Sequence, residues 1–220
     1  MDAIKLPKSL VEQTYDILLD AICSGELPPG ERLQQDEIAA RLGVSRQPVN
    51  SAISILKANN FVADTGRRGV TVAAVDAGQF RAIYEFRSAI EPFAVTLACA
   101  RMPGDAERQS RDVLRRGRQA VEARDARALL NADVDFHQMI YLWSGNSVIE
   151  ASMRVNWQHI RRAMAEVLRD PSAARISWDE HTRIVEALLS GDRGSAAAEM
   201  KGHIDRAAEN TMRLLTSSRE

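Results

Sequence analysis

The 220-residue sequence predicts a mainly α-helical fold in two domains. Apolar residues recur at intervals of three and four along most of the chain, the spacing of one face of a helix. Two short apolar segments, 61–63 and 70–73, are predicted β-strands. The helical pattern lapses at 76–79, so we expect a first domain over 1–75, a linker over 76–79 and an all-α domain over 80–220.

Three helices and a hairpin are predicted for the first domain. Helices over about 10–24 and 35–42 are each ended by a glycine, and a third begins after Ser45, a suitable N-cap. The two strands follow, joined by a turn that carries Arg67 and Arg68. Helix, helix, turn, helix and basic-tipped hairpin is the element order of a winged helix-turn-helix.

Six helices are predicted for the second domain, separated by short breaks that contain glycine, proline or charged residues. They lie near 80–101, 105–123, 126–144, 147–168, 172–190 and 195–215. Because the connections between them are short, neighbouring helices are expected to run antiparallel and to form a bundle.

Composition limits the function only weakly. The formal net charge is -1, and the first 75 residues carry 8 Lys and Arg against 9 Asp and Glu. A DNA-binding function therefore depends on where the cations lie and not on bulk charge. Two distant cysteines suit a reducing cytoplasm. The absence of a long apolar segment or an N-terminal signal pattern predicts a cytoplasmic protein with no membrane partner.

The first domain resembles the GntR family of bacterial transcription regulators. The resemblance rests on the segment LQQDEIAARLGVSRQPVNSAISILKANNFV, with PPGERL before it and TGRRGVTVAAV after it. It implies a winged helix-turn-helix that binds double-stranded operator DNA, and a homodimer on a pseudo-palindromic site. The family commonly has Arg at the position of Asn50 and Glu at that of Ser51. The operator or the salt dependence of binding is therefore expected to differ from the family norm.

The N-terminal end of the third helix is predicted to contact the bases of the DNA. A recognition helix lays its N-terminal end in the major groove, where Arg can pair with guanine and Gln or Asn with adenine. The arginines of the hairpin turn can enter a minor groove or hold the backbone. The alternative for each of these residues is that it is an ordinary solvent-exposed surface residue with no role in DNA binding. The residues predicted to contact DNA are Ser45, Arg46, Gln47, Asn50, Arg67 and Arg68.

Polar residues lie on the apolar helix faces of the second domain. Asp133 and His137 share a stripe with apolar residues in the helix over 126–144, and His181 and His203 lie on apolar stripes of two later helices. A carboxylate that faces a core is costly unless it is paired, and a metal cation would pair it. One Asp with three His suits zinc or nickel, with manganese or iron possible. Alternatively, these are hydrogen-bonded core residues.

Residues 80–210 resemble the FCD ligand-binding domain of the FadR-type GntR subfamily. The matching strings are IYEFRSAIEPFA, DVDFHQMIYLWSGN, EHTRIVEALLSGD and KGHIDRA. In that family the Asp and His of D-x-x-x-H, the His of the E-H string and a His of the last helix bind a metal. The resemblance implies that Asp133, His137, His181 and His203 are the ligands. His159 matches none of these positions and is expected at the surface or at a pocket rim.

The resemblance also implies an effector. FCD regulators commonly sense organic acids or sugar acids, and a metal with four protein ligands keeps one or two positions open for a carboxylate. Arg87 lies in the family's Tyr-x-x-Arg position and is predicted to clamp the anion. An ion pair with Glu91, four residues on, is the alternative. Trp157 and Arg161 are further candidates for the pocket, with core and surface as their alternatives.

Two other functions are compatible with such a metal. A metal-dependent enzyme acting on a small carboxylate would use an open coordination position, but would also need a general base, and no further His or Glu is evident beside the ligands. A purely structural metal would have a closed, tetrahedral site. The favoured interpretation is a regulator, not an enzyme, whose DNA affinity is controlled by an acid bound near the metal.

Overall fold

The computed structural model describes residues 8–66, 69–167 and 171–217. The chain divides into two compact units, Met1–Val75 and Asp76–Glu220. The elements in chain order are α1 (Leu10–Ser24), α2 (Gln35–Leu42), α3 (Arg46–Ala58), β1 (Val62–Asp64), β2 (Val70–Val72), α4 (Ala77–Arg101), α5 (Ala106–Ala123), α6 (Ala126–Ser144), α7 (Ser147–Val167), α8 (Pro171–Leu189) and α9 (Arg193–Ser217). The predicted mainly α-helical class is confirmed. Among the described residues, no helix has the length and apolar character needed to cross a bilayer.

The first unit is built around helix α3. Helix α1 begins at a capping box, in which the Glu12 N–H donates to Ser9 Oγ and the Ser9 N–H donates to Glu12 Oε2. Helices α1 and α3 pack against each other through the unit's apolar core. Val49 and Leu56 are fully buried on one face of α3, so the opposite face of this helix is left to solvent.

The hairpin differs by a residue or so from its predicted bounds. Strands β1 and β2 pair antiparallel with Val62 opposite Val72. Phe61, predicted as the first strand residue, instead follows the end of α3, where its N–H donates to the Leu56 carbonyl and its side chain is fully buried. Burial of one aromatic ring and a helix-end hydrogen bond thus displace the strand start. Arg67 and Arg68, predicted at the hairpin tip, lie outside the described residues.

The predicted linker over 76–79 is wrong. Asp76 is the N-cap of α4, and its carboxylate accepts hydrogen bonds from the N–H groups of Gly78 and Gln79. Capping satisfies the first free N–H groups of a helix, so the chain enters α4 directly after residue 76. The sequence pattern missed this turn because Ala77–Gln79 offers few apolar residues.

The second unit is a bundle of the remaining six helices. Helix α4 packs against α9 and α6, and α8 packs against α9 and α5. Pro92 lies inside α4, which continues through it to Arg101. The interior of the bundle holds an unusual number of polar side chains for an apolar core, contributed mainly by α4, α6, α8 and α9. These residues form the site described next.

Candidate functional site

Four potential metal ligands meet in the interior of the second unit. They are Asp133, His137, His181 and His203, and one ligand atom from each lies within 4.8 Å of all the others. All four side chains are buried. Asp133 and His137 stand one turn apart on α6, so they project from one face of that helix. The structure therefore brings together the full set of ligands predicted from the sequence.

Nitrogen atoms face one another at the centre of this cluster. His181 Nε2 lies 3.2 Å from His203 Nε2 and 3.5 Å from Asp133 Oδ1. His137 Nε2 and His181 Nδ1 are buried and have no hydrogen-bond partner in the described part of the chain. Buried polar atoms without partners are rare because each costs free energy. The unpartnered Nε2 of His137, whose other ring nitrogen contacts Glu91, points to a ligand that the protein itself does not supply.

Two buried glutamates orient two of the histidines. Glu91 Oε2 lies 2.6 Å from His137 Nδ1, and Glu180 Oε2 lies 2.8 Å from His203 Nδ1. A carboxylate at this distance accepts the Nδ1–H and leaves the Nε2 lone pair for a metal. Histidine ligands in metalloproteins commonly carry such an outer carboxylate. Two of the three histidines in the predicted ligand set thus have the outer carboxylate that is common in metal sites.

Each of these glutamates is also paired with an arginine. Arg87 Nε lies 2.5 Å from Glu91 Oε1, with both side chains buried, and Arg206 bonds Glu180. Burial alone would raise the pKa of Glu91, but Arg87 and His137 together hold it below its usual range. The pKa of Glu180 is likewise lowered, since His203 and Arg206 outweigh burial. Both glutamates therefore remain ionised acceptors.

His137 and His181 are suited to bind a cation in their neutral form. Burial lowers the pKa of His137 below its ordinary value, although Glu91 opposes the shift. Burial, reinforced by His203, lowers the pKa of His181 well below its ordinary value. A neutral imidazole offers a lone pair, and Asp133 offers a negative charge. The residues present fit a borderline divalent cation such as zinc or nickel.

The predicted effector residues have different surroundings. The alternative interpretation of Arg87, an ion pair with Glu91, is present in the structure. Its guanidinium also lies 5.0 Å from the ring centres of Tyr84 and Trp157. The Trp157 ring is buried, lies 4.9 Å from the His137 ring, and donates its N–H to the Tyr141 hydroxyl. Arg87 and Trp157 therefore adjoin the ligand cluster.

Two residues of α7 were harder to place from the sequence. Arg161 is half-buried and donates to the Gln158 side chain. His159 was expected at the surface or at a pocket rim, but it is buried. Its Nε2 lies 3.2 Å from the side-chain amide nitrogen, Nε2, of Gln79. Sequence reasoning named Glu91 only as a partner of Arg87, and it missed both the contact of Glu91 with His137 and the contact of Glu180 with His203. Glu180 precedes His181 directly in the chain, and this neighbour was the available signal.

The first unit presents a second candidate surface. Ser45 is the N-cap of α3, and Arg46, Gln47 and Asn50 are exposed on its first turns. Arg46 Nε lies 3.0 Å from Asp36 Oδ1 on α2. The four predicted residues thus share one end and one solvent-facing side of α3. This arrangement matches a recognition helix, which contacts bases with its N-terminal residues.

The Glu180→Gln variant is expected to bind zinc or nickel about 10–100-fold more weakly than the wild type, the usual effect of losing an outer carboxylate. The substitution removes the negative charge that fixes the His203 Nδ1–H and pairs with Arg206. Competition with a chromophoric chelator measures the change. Glu186→Gln, which alters an exposed residue of the same helix, is the matched control. Equal affinities for both variants would contradict an orienting role for Glu180.

Family models account for both units of the chain. The model described as "FCD domain" matches residues 82–206, and the model described as "Bacterial regulatory proteins, gntR family" matches residues 10–72. The first covers the six-helix bundle and its ligand cluster. The second covers the winged helix-turn-helix from α1 to β2.

Several transcriptional regulators are similar to this chain over most of its length. The Nta operon transcriptional regulator of Aminobacter aminovorans is 28% identical over 85% of this chain and 87% of its own length. Among solved structures, E. coli McbR/YncC superposes with a TM-score of 0.80 at 22% identity over 97% of this chain and all of its own. A putative transcriptional regulator GntR from Rhodococcus sp. RHA1 gives 0.77 at 27% identity, over 93% and 98% respectively.

Proposed function

Since this chain belongs to the FCD domain family and joins that domain to a gntR-family DNA-binding domain, it is a transcriptional regulator, and we propose how it is controlled. In our proposal a divalent metal, zinc or nickel, is held by Asp133, His137, His181 and His203. A small organic acid or sugar acid binds beside that metal and changes the affinity for operator DNA.

The unpartnered His137 Nε2, buried among three other ligand residues, is the observation that carries the proposal. Without a cation, that nitrogen would be buried with no partner, and Asp133 would be a buried carboxylate beside neutral imidazoles. A divalent ion would satisfy both. When bound, such an ion supplies coordination positions that a carboxylate can fill.

Arg87 supports an anionic effector. Its positive charge contributes, after burial, to the lowered pKa values of His137 and His181, so its field reaches the ligand cluster. Arg87 donates from Nε to Glu91. A guanidinium also has two terminal nitrogens, which can donate hydrogen bonds to the carboxylate of a bound acid. In our proposal Arg87 orients the acid, and Trp157 forms the apolar wall beside it.

A path for the effector is supported by a cavity of about 150 Å³ between α6 and α7. Trp157 and Tyr141 line it, and they also border the ligand cluster through His137. Arg154, which is exposed and lies 3.5 Å from Glu150, is at the same cavity and is a further cation that an acid could meet there. We include Arg161 in this proposal as a residue near the effector, on the same helix as Trp157.

The DNA-binding part of the proposal assigns base and phosphate contacts to Ser45, Arg46, Gln47 and Asn50. Arg67 and Arg68 are proposed to hold the minor groove or the backbone. A homodimer would place two such helices on a pseudo-palindromic operator. The acid would act by favouring one of two arrangements of the dimer, which requires different affinities of the acid for the two.

A screen of small acids by thermal unfolding tests the effector. Acids that bind beside the metal are expected to raise the melting temperature of the zinc- or nickel-loaded protein by binding only the native state. The same acids should have no effect after the metal is removed with a chelator. Arg87→Lys is the informative variant, since it keeps the charge and loses the planar, two-point contact. Acids that stabilise metal-loaded and metal-free protein alike would contradict the proposed site.

The enzyme alternative has little support from the site. Glu91 is a buried carboxylate beside the ligands, which the sequence did not reveal, but it does not serve as a free base. One of its oxygens contacts Arg87 and the other contacts His137. A general base must be able to accept a proton from a substrate. The chain's relatives are regulators, in keeping with this chemistry.

A further inference from the structure

We infer that His181 is positioned by an aromatic clamp, formed by Phe136 and Trp178, that depends on the absence of a side chain at Gly117. The inference rests on the proposed metal site and concerns how one of its ligands is aimed. Gly117 and Trp178 contribute no ligand atom to the four-residue cluster. They act as positioning residues for the His181 ring.

His181 differs from the other two histidines in its outer contacts. His137 and His203 each have a glutamate on Nδ1. The Nδ1 of His181 is buried and has no hydrogen-bond partner among the described residues. An outer hydrogen bond normally fixes the ring orientation of a ligand histidine. For His181 another kind of contact must do so.

Two aromatic rings hold the His181 imidazole. Phe136 stacks on it, with ring centres 3.8 Å apart and planes inclined by 16°. Trp178 meets it in an edge-to-face arrangement, with centres 4.7 Å apart and planes inclined by 71°. The Trp178 contact lies in the range of separations and angles that is favourable for aromatic pairs, and the Phe136 ring lies in direct contact with the face of the imidazole. Between a stacked ring and a perpendicular ring, the imidazole has little freedom to rotate away from the cluster.

Trp178 is itself fixed to α5. Its indole N–H donates to the Leu114 carbonyl at 2.8 Å. Its ring covers Gly117 so closely that a Cβ atom there would overlap the Cζ2 and Cε2 atoms of Trp178. Glycine in a helix interior destabilises the helix relative to alanine. The close approach of the indole gives a physical reason for a glycine at this position in α5.

The packing of Trp178 on Gly117 therefore affects the ligand cluster through the contact between the Trp178 and His181 rings. Trp178 and His181 are one turn apart on α8, so a shift of the indole moves both the helix and the imidazole edge. Smaller or displaced rings would leave His181 free to turn. A metal would then lose part of one ligand bond while the other three ligands remain in place.

Trp178→Phe is the direct test, with Trp143→Phe as its matched control. Trp143 is also buried and also donates its indole N–H, to Gln109 at 3.2 Å, but it lies six residues beyond His137 on another face of α6. Both variants lose one buried ring and one hydrogen bond. The full chain is loaded with zinc or cobalt, and metal affinity is measured against a chromophoric chelator. The visible spectrum of the cobalt form reports ligand geometry.

The expected result is a metal affinity about 10-fold lower for Trp178→Phe, in the range of lost outer contacts, and an altered cobalt spectrum. Trp143→Phe should keep the wild-type spectrum and nearly the wild-type affinity. Gly117→Ala, provided that it folds, should resemble Trp178→Phe. Equal metal affinities and spectra for the two tryptophan variants would overturn the inference. A wild-type chain that binds no metal would instead overturn the proposed function, so the two failures are distinguishable.

Discussion

The His137→Ala variant is expected to lose metal binding almost entirely, with an affinity loss greater than the about 10–100-fold caused by removing an outer partner. Alanine removes the ligand atom, and the four-residue cluster is reduced to three. The change also leaves Glu91 with Arg87 as its partner, so the buried carboxylate is still paired. The fold should therefore survive while the site fails.

Chelator competition measures this loss, and His159→Ala is its control. His159 is a buried histidine of the same unit that lies outside the ligand cluster. Metal should raise the melting temperature of the wild type and of His159→Ala, because it binds the native state, and should not raise that of His137→Ala. If His137→Ala keeps the wild-type metal affinity, the proposed coordination is wrong.

The Arg46→Ala variant is expected to bind operator DNA about 10–100-fold more weakly, since a good arginine–guanine pair is worth roughly 1–3 kcal/mol. Arg46 stands exposed at the start of α3, where a recognition helix meets the major groove. The free protein holds it beside Asp36, and that exposed ion pair is weak enough to yield to a base. The loss should be largest on sequences with guanine at the contacted position.

Fluorescence anisotropy on an operator selected from a random DNA pool measures this effect. Arg41→Ala is the control, because it removes the same charge from an exposed residue of α2 that pairs with Glu26. A loss of affinity that is uniform across sequences and equal for both variants would assign Arg46 only a general electrostatic role.

Much of the fold could be predicted because each element carries its own local signal. The helices follow the spacing of apolar residues, and Gly25 and Gly43 end α1 and α2 in the left-handed conformation. The exceptions arise where a single contact overrides the pattern. Asp76 caps α4 earlier than apolar spacing suggests, and the buried ring of Phe61 delays β1.

The sequence predicted the four ligands of the candidate site but not the residues that surround them. The ligands lie on apolar stripes and match the motif of a family, so their juxtaposition could be expected. The outer shell could not, because it depends on which helices face each other. Glu91 reaches His137 from α4, and Trp178, which contacts His181, packs directly against Gly117 on α5. Contacts between helices that are distant in the chain produce no regular spacing of residues in the sequence from which they could be predicted.

The most direct test of this regulator's control is its operator affinity in four states: metal-free, with metal, with acid, and with metal and acid together. Anisotropy titrations with an acid identified in the thermal screen give all four values. We expect acid to change the affinity several-fold or more only when metal is present, and this coupling to disappear in His137→Ala. An operator affinity that is the same in all four states would contradict the account.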